Sequence, residues 1–158
     1  MASSIFGIIE KQDMQDGQQD RQENLLHFHL TKAILKCCFE VINTLGTGFL
    51  ESIYKNSLQI ALLDSGLKAD PNRAFEVIFR GKKVGIFIPD LIVDNEVIVE
   101  LKACKHLLAE HQAQLINYLA VTGVQVGLLV NFGKRRLEYK RVHHPVYHAL
   151  NLVDPVTI

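Results

Sequence analysis

Between Ile88 and Ala103 the chain reads IPDLIVDNEVIVELKA, and outside the polar turn Asp94-Asn95-Glu96 only three of its side chains can do chemistry. These are Asp90, Glu100 and Lys102. Side chains alternate along a strand, so Glu100 and Lys102 project from one face, roughly 6.6 Å apart, while Val97, Val99 and Leu101 take the other. If Asp94-Asn95-Glu96 closes a hairpin as a three-residue loop, Val93 faces Val97, Ile92 faces Ile98, Asp90 faces Glu100 and Ile88 faces Lys102. A two-residue turn would instead send the two carboxylates to opposite faces. The three-residue loop is the expectation adopted. Two carboxylates side by side on an apolar sheet repel and lose hydration. A hard cation such as Mg²⁺ relieves both penalties, because it accepts one or two carboxylates, keeps several waters and takes phosphate oxygens as further ligands. A neighbouring ammonium adds charge that can orient water or stabilise a phosphoryl oxyanion. The competing reading is an edge hairpin with one surface ion pair.

The elements that would position these groups can be read from periodicity. Leu26, Leu30, Ile34, Cys38, Val41 and Leu45 recur at helical spacing and predict a helix over residues 24–45, broken by Gly46-Thr47-Gly48. A second helix is predicted over 49–65, capped by Gly66. Its stripe runs through Tyr54, Leu58 and Leu62, and Glu51 falls on the same stripe. An acid there is expected on the buried face of the first turn, where the helix dipole also favours it. Residues 68–73 read as a loop, 74–79 as a first strand, Arg80-Gly81-Lys82-Lys83 as a turn, 84–93 as a second strand and 97–103 as a third. Pro89 removes a ladder donor beside Asp90, which predicts a bulge or an edge there. A helix over 107–121 carries Leu108, Leu115 and Leu119 on its apolar side and Gln114 and Tyr118 one turn apart on an adjacent stripe. The near-continuous apolar run 125–131 reads as a buried strand, parallel to the third through that helix. A fifth strand over 137–142 follows a basic turn.

Composition bounds the rest. The 158 residues, 48% apolar, suffice for one domain with a real core, read here as a polar tail over 1–22 and a single domain over 23–158. Lysines and arginines balance aspartates and glutamates at 17 each, so no overall field draws the protein to polyanions. The distribution is uneven: residues 1–26 have a net charge of −3, and residues 131–144 one of +4. Cys37, Cys38 and Cys104 have no CxxC spacing and fit free thiols in a reducing compartment. The short run Ile5–Ile9 has no basic flank, and no stretch reaches the length of a membrane span, so a soluble, cytoplasmic protein is expected. A short helix is expected over 145–152. His144 and His148 are read as surface residues, and His27 and His29 as a poor metal pair.

Several of these segments together resemble a known family. Gly48-Phe49-Leu50-Glu51-Ser52-Ile53-Tyr54 is similar to the GxxExxY signature that names a family of small prokaryotic proteins within the PD-(D/E)XK nuclease superfamily. Pro89-Asp90 followed by Glu100-Leu101-Lys102 resembles the superfamily's namesake motif. Gln114 to Tyr118 resembles the QxxxY motif of its RecB-type and lambda-exonuclease-like branch, and residues 126–133 look like its closing strand. The resemblance covers about residues 25–142. It implies an α/β fold of the restriction-endonuclease-like kind, a mixed central sheet of about five strands flanked by helices, with the site at the sheet's edge. It also implies a DNA-cleaving, Mg²⁺-dependent nuclease in which Mn²⁺ can substitute. Glu51, Asp90, Glu100 and the Leu101 carbonyl would bind metal, and Asp90, Glu100 and Lys102 would be catalytic. Gln114, Tyr118 and Tyr54 would meet substrate. The segment before the first strand, Ala69-Asp70-Pro71-Asn72-Arg73, departs from the pattern by lacking a glutamine. The alternatives are a catalytically silent nucleic-acid- or protein-binding module on the same scaffold, and a structural subunit of a homo-oligomer.

Overall fold

The computed structural model describes residues 27–144. The expected tail over 1–22, the Ile5–Ile9 piece, the start of the first helix at residues 24–26, and the helix over 145–152 with His148 lie outside the described residues. Helix α1 spans Phe28–Leu45 and buries Ile34, Cys38 and Val41 of the expected stripe, together with Thr31, Cys37 and Ile42, which are not on it, while Leu30 and Leu45 are only half-buried. Helix α2 spans Glu51–Asp64 and buries Tyr54, Leu58 and Leu62. It ends as expected at Gly66, whose φ of 81° is open to glycine at little cost. The Leu67 N–H reaches back to the Leu62 carbonyl and the Gly66 N–H to that of Leu63, at 3.0 Å each, which satisfies the last carbonyls of the helix.

Five strands form the central sheet in the order β1 (Ala69–Asp70), β4 (Leu91–Val93), β5 (Val97–Lys102), β6 (Val126–Asn131), β7 (Glu138–His143). The β5–β6 pair is parallel and its neighbours are antiparallel. The crossover from β5 to β6 is helix α3, Ala109–Thr122. The architecture is the mixed α/β sheet expected. Alternation along β5 sorts two cores. Val97, Val99 and Leu101 join Leu128 and Val130 of β6 against α1 and α2. Ile98 joins Ile92, Leu129 and Val142 against Leu115 and Leu119 of α3. All six residues of β6 are buried, as its unbroken apolar run predicts.

Sheet membership differs from the expectation in two ways. Residues 69–70, read as loop, form the edge strand β1, paired Ala69 with Val93 and Asp70 with Ile92. Its anchor is distant in sequence: Asp94 accepts the Lys68 N–H on its Oδ1 and donates its own N–H to the Lys68 carbonyl, both at 2.8 Å. The predicted strand 84–93 is in fact two strands. Strand β3 (Lys82–Phe87) pairs with β2 (Phe75–Phe79) in a separate two-stranded hairpin, and β4 starts afresh at Leu91. Buried Pro89 has no N–H for a ladder, so the chain leaves one sheet and enters another across Ile88-Pro89-Asp90 rather than bulging within one.

The end of the sheet beyond Lys102 is locked by Asn131, a buried amide with all its capacity used. Its Oδ1 accepts the Cys104 N–H (3.0 Å) and the Gly133 N–H (2.9 Å). Its Nδ2 donates to the Cys104 carbonyl (2.9 Å) and to Glu138 Oε2 (3.2 Å). Gly133 lies so close that a Cβ there would sit 2.1 Å from the Cys104 carbonyl oxygen. Glu138 Oε2 also accepts the Leu107 N–H at 3.2 Å, so the segment leading from β5 into α3 is fixed at both ends. Asn131→Ala removes four hydrogen bonds, strands the Cys104 N–H, the Cys104 carbonyl and the Gly133 N–H, and should lower stability by about 2–4 kcal/mol, read as a fall in the urea midpoint at unchanged m-value. A change under about 0.5 kcal/mol, the size of an ordinary surface substitution, would mean that the clamp is dispensable.

Candidate active site

The hairpin that carries the acids has the register the three-residue loop predicts. Val93 lies opposite Val97, Ile92 opposite Ile98 and Leu91 opposite Val99. Asp94 and Asn95 both take positive φ, 51° and 60°, a region that Asp and Asn tolerate best after glycine. The Glu96 N–H closes the turn on the Val93 carbonyl at 2.9 Å. One step beyond Leu91 the ladder stops, and the pairing of Ile88 with Lys102 is not made. Asp90 takes over where the strand ends. Its Oδ2 accepts the Leu101 N–H at 2.8 Å, and its own N–H donates to Glu100 Oε1 at 3.2 Å. A side chain thus completes the β5 edge that a strand would otherwise cover, and it brings the two carboxylates together.

Glu100 and Lys102 share the face of Ile98, toward α3, and both are half-buried. Burial pushes the Glu100 carboxyl up to about 8, and the Asp90 charge adds to the effect. The Asp90 N–H and the Lys102 ammonium work against it but do not cancel it. At neutral pH the pair therefore holds a proton that neither acid would keep in water. Tyr118 of α3 lies within the same field. Its hydroxyl is pushed above its ordinary value by burial, then by Glu100, against a hydrogen bond from Gln114, with Asp90 adding a smaller push. Its ring stacks on Phe87 with centroids 3.6 Å apart and planes 16° apart, and Phe87 in turn lies against Phe75. Gln114 is exposed one turn earlier on the helix. Asp90, Glu100, Lys102, Gln114 and Tyr118 thus gather on the α3 side of the sheet, at the edge where β4 gives out.

Other expected site residues lie elsewhere. Tyr54 belongs to the opposite core, with no exposed surface. Its hydroxyl donates to the Gly46 carbonyl at 2.7 Å and accepts the Phe49 N–H at 3.2 Å, and its ring stacks on Phe132. It braces the turn between α1 and α2, and the structure leaves it no surface with which to touch substrate. Glu51 is exposed, not buried with its stripe, because the first residue of α2 extends past the packed part of the helix. Through Tyr54 and Phe132, whose N–H donates to the Lys102 carbonyl at 2.7 Å, that helix start is tied to the Lys102 end of the sheet. Even so, among the described residues no three His, Cys, Asp or Glu side chains converge on one metal position. Leu108, expected on the apolar side of α3, is exposed and precedes the helix, where its N–H is capped by His111 Nδ1 at 3.1 Å. Two contributors escaped the sequence reading, Phe87 and Asn131. Phe87 was visible only as one more apolar strand residue, and Asn131 only as the polar end of an apolar run.

The donor set fits a hard divalent cation. Asp90 Oδ2 and Glu100 Oε1 each accept a backbone N–H, and the two carboxyls also share a side-chain hydrogen bond whose proton a cation would replace. The N–H and C=O of a strand residue point to the same side, so the Leu101 carbonyl faces the side where Asp90 sits. Two carboxylates and a carbonyl, without imidazole or sulfur, suit an ion that retains its waters. A cavity of about 770 Å³ lies across the sheet from this site, lined in part by Phe28, Phe39, Leu128 and Tyr139, and contains none of the acids.

Between the ordinary carboxyl value of 4.5 and about 8, the folded protein keeps a proton on Glu100 that the unfolded chain has lost. Raising the pH across that window therefore costs stability. The melting temperature of the metal-free protein should fall from pH 5 to pH 8.5, and Glu100→Gln should flatten the fall. Saturating Mg²⁺ should do the same by replacing the proton. Parallel melting curves for wild type and variant across this range would refute the electrostatic account.

A model of the PD-(D/E)XK nuclease superfamily matches residues 28–142. The crystal structure of a protein called SSO0001 is similar in fold, with a TM-score of 0.50 and 23% identity, over 63% of this chain and 52% of that one. The chain thus spans about half the length of that solved protein. Curated proteins provide no significant match.

Proposed function

Because this chain belongs to the PD-(D/E)XK nuclease superfamily, we propose that it is a metal-dependent nuclease that hydrolyses the phosphodiester bonds of DNA. The observation that carries the reading is the half-buried Asp90–Glu100 pair with Lys102 on the same face as Glu100. Asp90, Glu100 and the Leu101 carbonyl would hold Mg²⁺, or Mn²⁺ in its place. When bound, the cation neutralises charge at the scissile phosphate and acidifies water.

The chain's own groups do the remaining work. Lys102 keeps an ammonium beside the carboxylates, where it can orient the attacking water or balance the charge that grows on the phosphoryl oxygens. Tyr118, held flat by Phe87, and exposed Gln114 form the side of the site toward α3 and can meet the substrate backbone. The basic turn Lys134-Arg135-Arg136 follows β6, whose end lies beside Lys102, so its charge favours a polyanion at that end of the sheet. Glu51, outside the carboxylate pair, is not part of the ligand set proposed. Among the described residues no group of three His, Cys, Asp or Glu side chains that could hold a metal is found, which favours a second reading, a module that binds nucleic acid without cutting it.

Lys102→Ala should leave the fold intact and lower Mg²⁺-dependent cleavage of plasmid or oligonucleotide DNA by at least about a hundredfold, the scale of one lost electrostatic stabiliser. Equal nicking by wild type and variant would sink the assignment. Retention of DNA by the wild type without product, and without stabilisation by Mg²⁺ or Mn²⁺, would favour the non-catalytic module.

A further inference from the structure

The β2–β3 hairpin stands apart from the central sheet and carries more exposed apolar surface than a structural ribbon requires. Ile78, Phe79, Val84, Ile86 and Ile88 are each more than half exposed, 54–62%, within eleven consecutive residues. Isolated exposed apolar residues need no explanation, but here Ile78 and Ile86 lie on the outer face of the ribbon and Phe79 is exposed on the other face at the tip, and so much apolar surface on one ribbon marks a contact surface. The base of the inner face is already in use, since Phe75 and Phe87 pack against α3 and its core, whereas Phe79 lies beyond it at the tip. The exposed side chains are therefore surplus to folding.

Two features say what would cover them. The first is charge. The tip carries Arg80, Lys82 and Lys83, and among the described residues only Lys83 has an acidic partner, Glu76 at 3.0 Å. Arg80 lies over the Phe79 ring, 5.2 Å from its centroid, so cation and aromatic face form one platform. The second is continuity with the candidate active site. The hairpin leads through Ile88-Pro89 directly into Asp90, and Phe87 carries the Tyr118 ring. A polymer leaving the carboxylates along this path meets apolar side chains flanked by cations. Duplex DNA would offer phosphates to those apolar groups. Unpaired nucleotides offer base faces to them and phosphates to the cations.

We propose that the β2–β3 hairpin is an arm that grips an unpaired nucleic-acid segment next to the carboxylate site, with bases against Ile78, Phe79 and Ile86 and phosphates against the basic tip. The proposal rests on the nuclease reading for the placement of the strand, but it is tested by binding. Fluorescence anisotropy in EDTA, where no metal-dependent cleavage contributes, compares a labelled thymidine strand of about 16 nucleotides with a duplex of equal length. Phe79→Ser with Ile86→Ser should weaken strand binding by about tenfold or more, as expected for the loss of base contacts, and duplex binding by less than about twofold. Ile78→Ser with Val84→Ser, a second exposed pair, should act in the same direction, so a folding defect in one variant does not decide the matter. Absence of strand binding by the wild type, unchanged binding by both variants, or equal losses on strand and duplex would overturn the arm. So would light scattering that shows either variant dissociating an oligomer with strand affinity intact, since a second copy of the chain would then be the occupant. Strand binding by the wild type with no Mg²⁺-dependent product would remove the nuclease reading and leave the arm. Cleavage with undiminished binding by the variants would do the reverse.

Discussion

The site depends on one substitution of partners at the edge of β5. A backbone strand covers that edge only as far as Leu91, and then the chain turns away at Pro89. The Leu101 N–H would be left open, and the carboxylate of Asp90 accepts it instead at 2.8 Å. The geometry that satisfies this donor also brings Asp90 against Glu100, whose side chain accepts the Asp90 N–H. Placing two acids together on a half-buried surface is unfavourable by itself. Here the backbone requires it, and the resulting strain on ionisation is visible in the upward shift of Glu100. A cation or a proton relieves that strain, which is how a local feature of strand pairing becomes a chemical capacity.

The remainder of the fold holds this edge still. The parallel β5–β6 pair runs to Lys102 opposite Asn131. There Asn131, Gly133 and Glu138 fix the segment that turns back into α3. Helix α3 then returns Gln114 and Tyr118 to the face that carries Glu100. Phe87 stacks on Tyr118 from the other side, so the tyrosine ring sits between a helix and a separate ribbon. The apolar cores on the two faces of the sheet share no part of this work equally. The α1–α2 side supplies bulk and the Tyr54 brace, whereas the α3 side supplies the groups with functional chemistry.

Much of this was legible from local pattern. The turn Asp94-Asn95-Glu96 and the period-two run of β5 specified the hairpin register, and with it the apposition of Asp90 and Glu100. The unbroken apolar stretch of β6, joined through one helix, specified a buried parallel strand. What was illegible depends on distant partners. Strand β1 is two residues long and exists because Asp94 holds Lys68, so it has no period to detect. The run from Val84 to Val93 is apolar at nearly every position, as one strand could be, and only the choice of neighbours divides it between two sheets. Glu51 shares a helical stripe with Tyr54 and Leu58, but periodicity cannot tell where along its length a helix ceases to be covered. The four bonds of Asn131 join residues up to 27 positions apart.

The acceptor role of Asp90 means that its charge and its shape are separable. An amide at this position keeps an oxygen for the Leu101 N–H but gives up the negative charge, whereas alanine gives up both. Loss of function on alanine replacement would therefore confound chemistry with unravelling of an edge. For a drifting lineage the same logic sets an order of change: asparagine is the step by which such a fold can fall silent and still hold together.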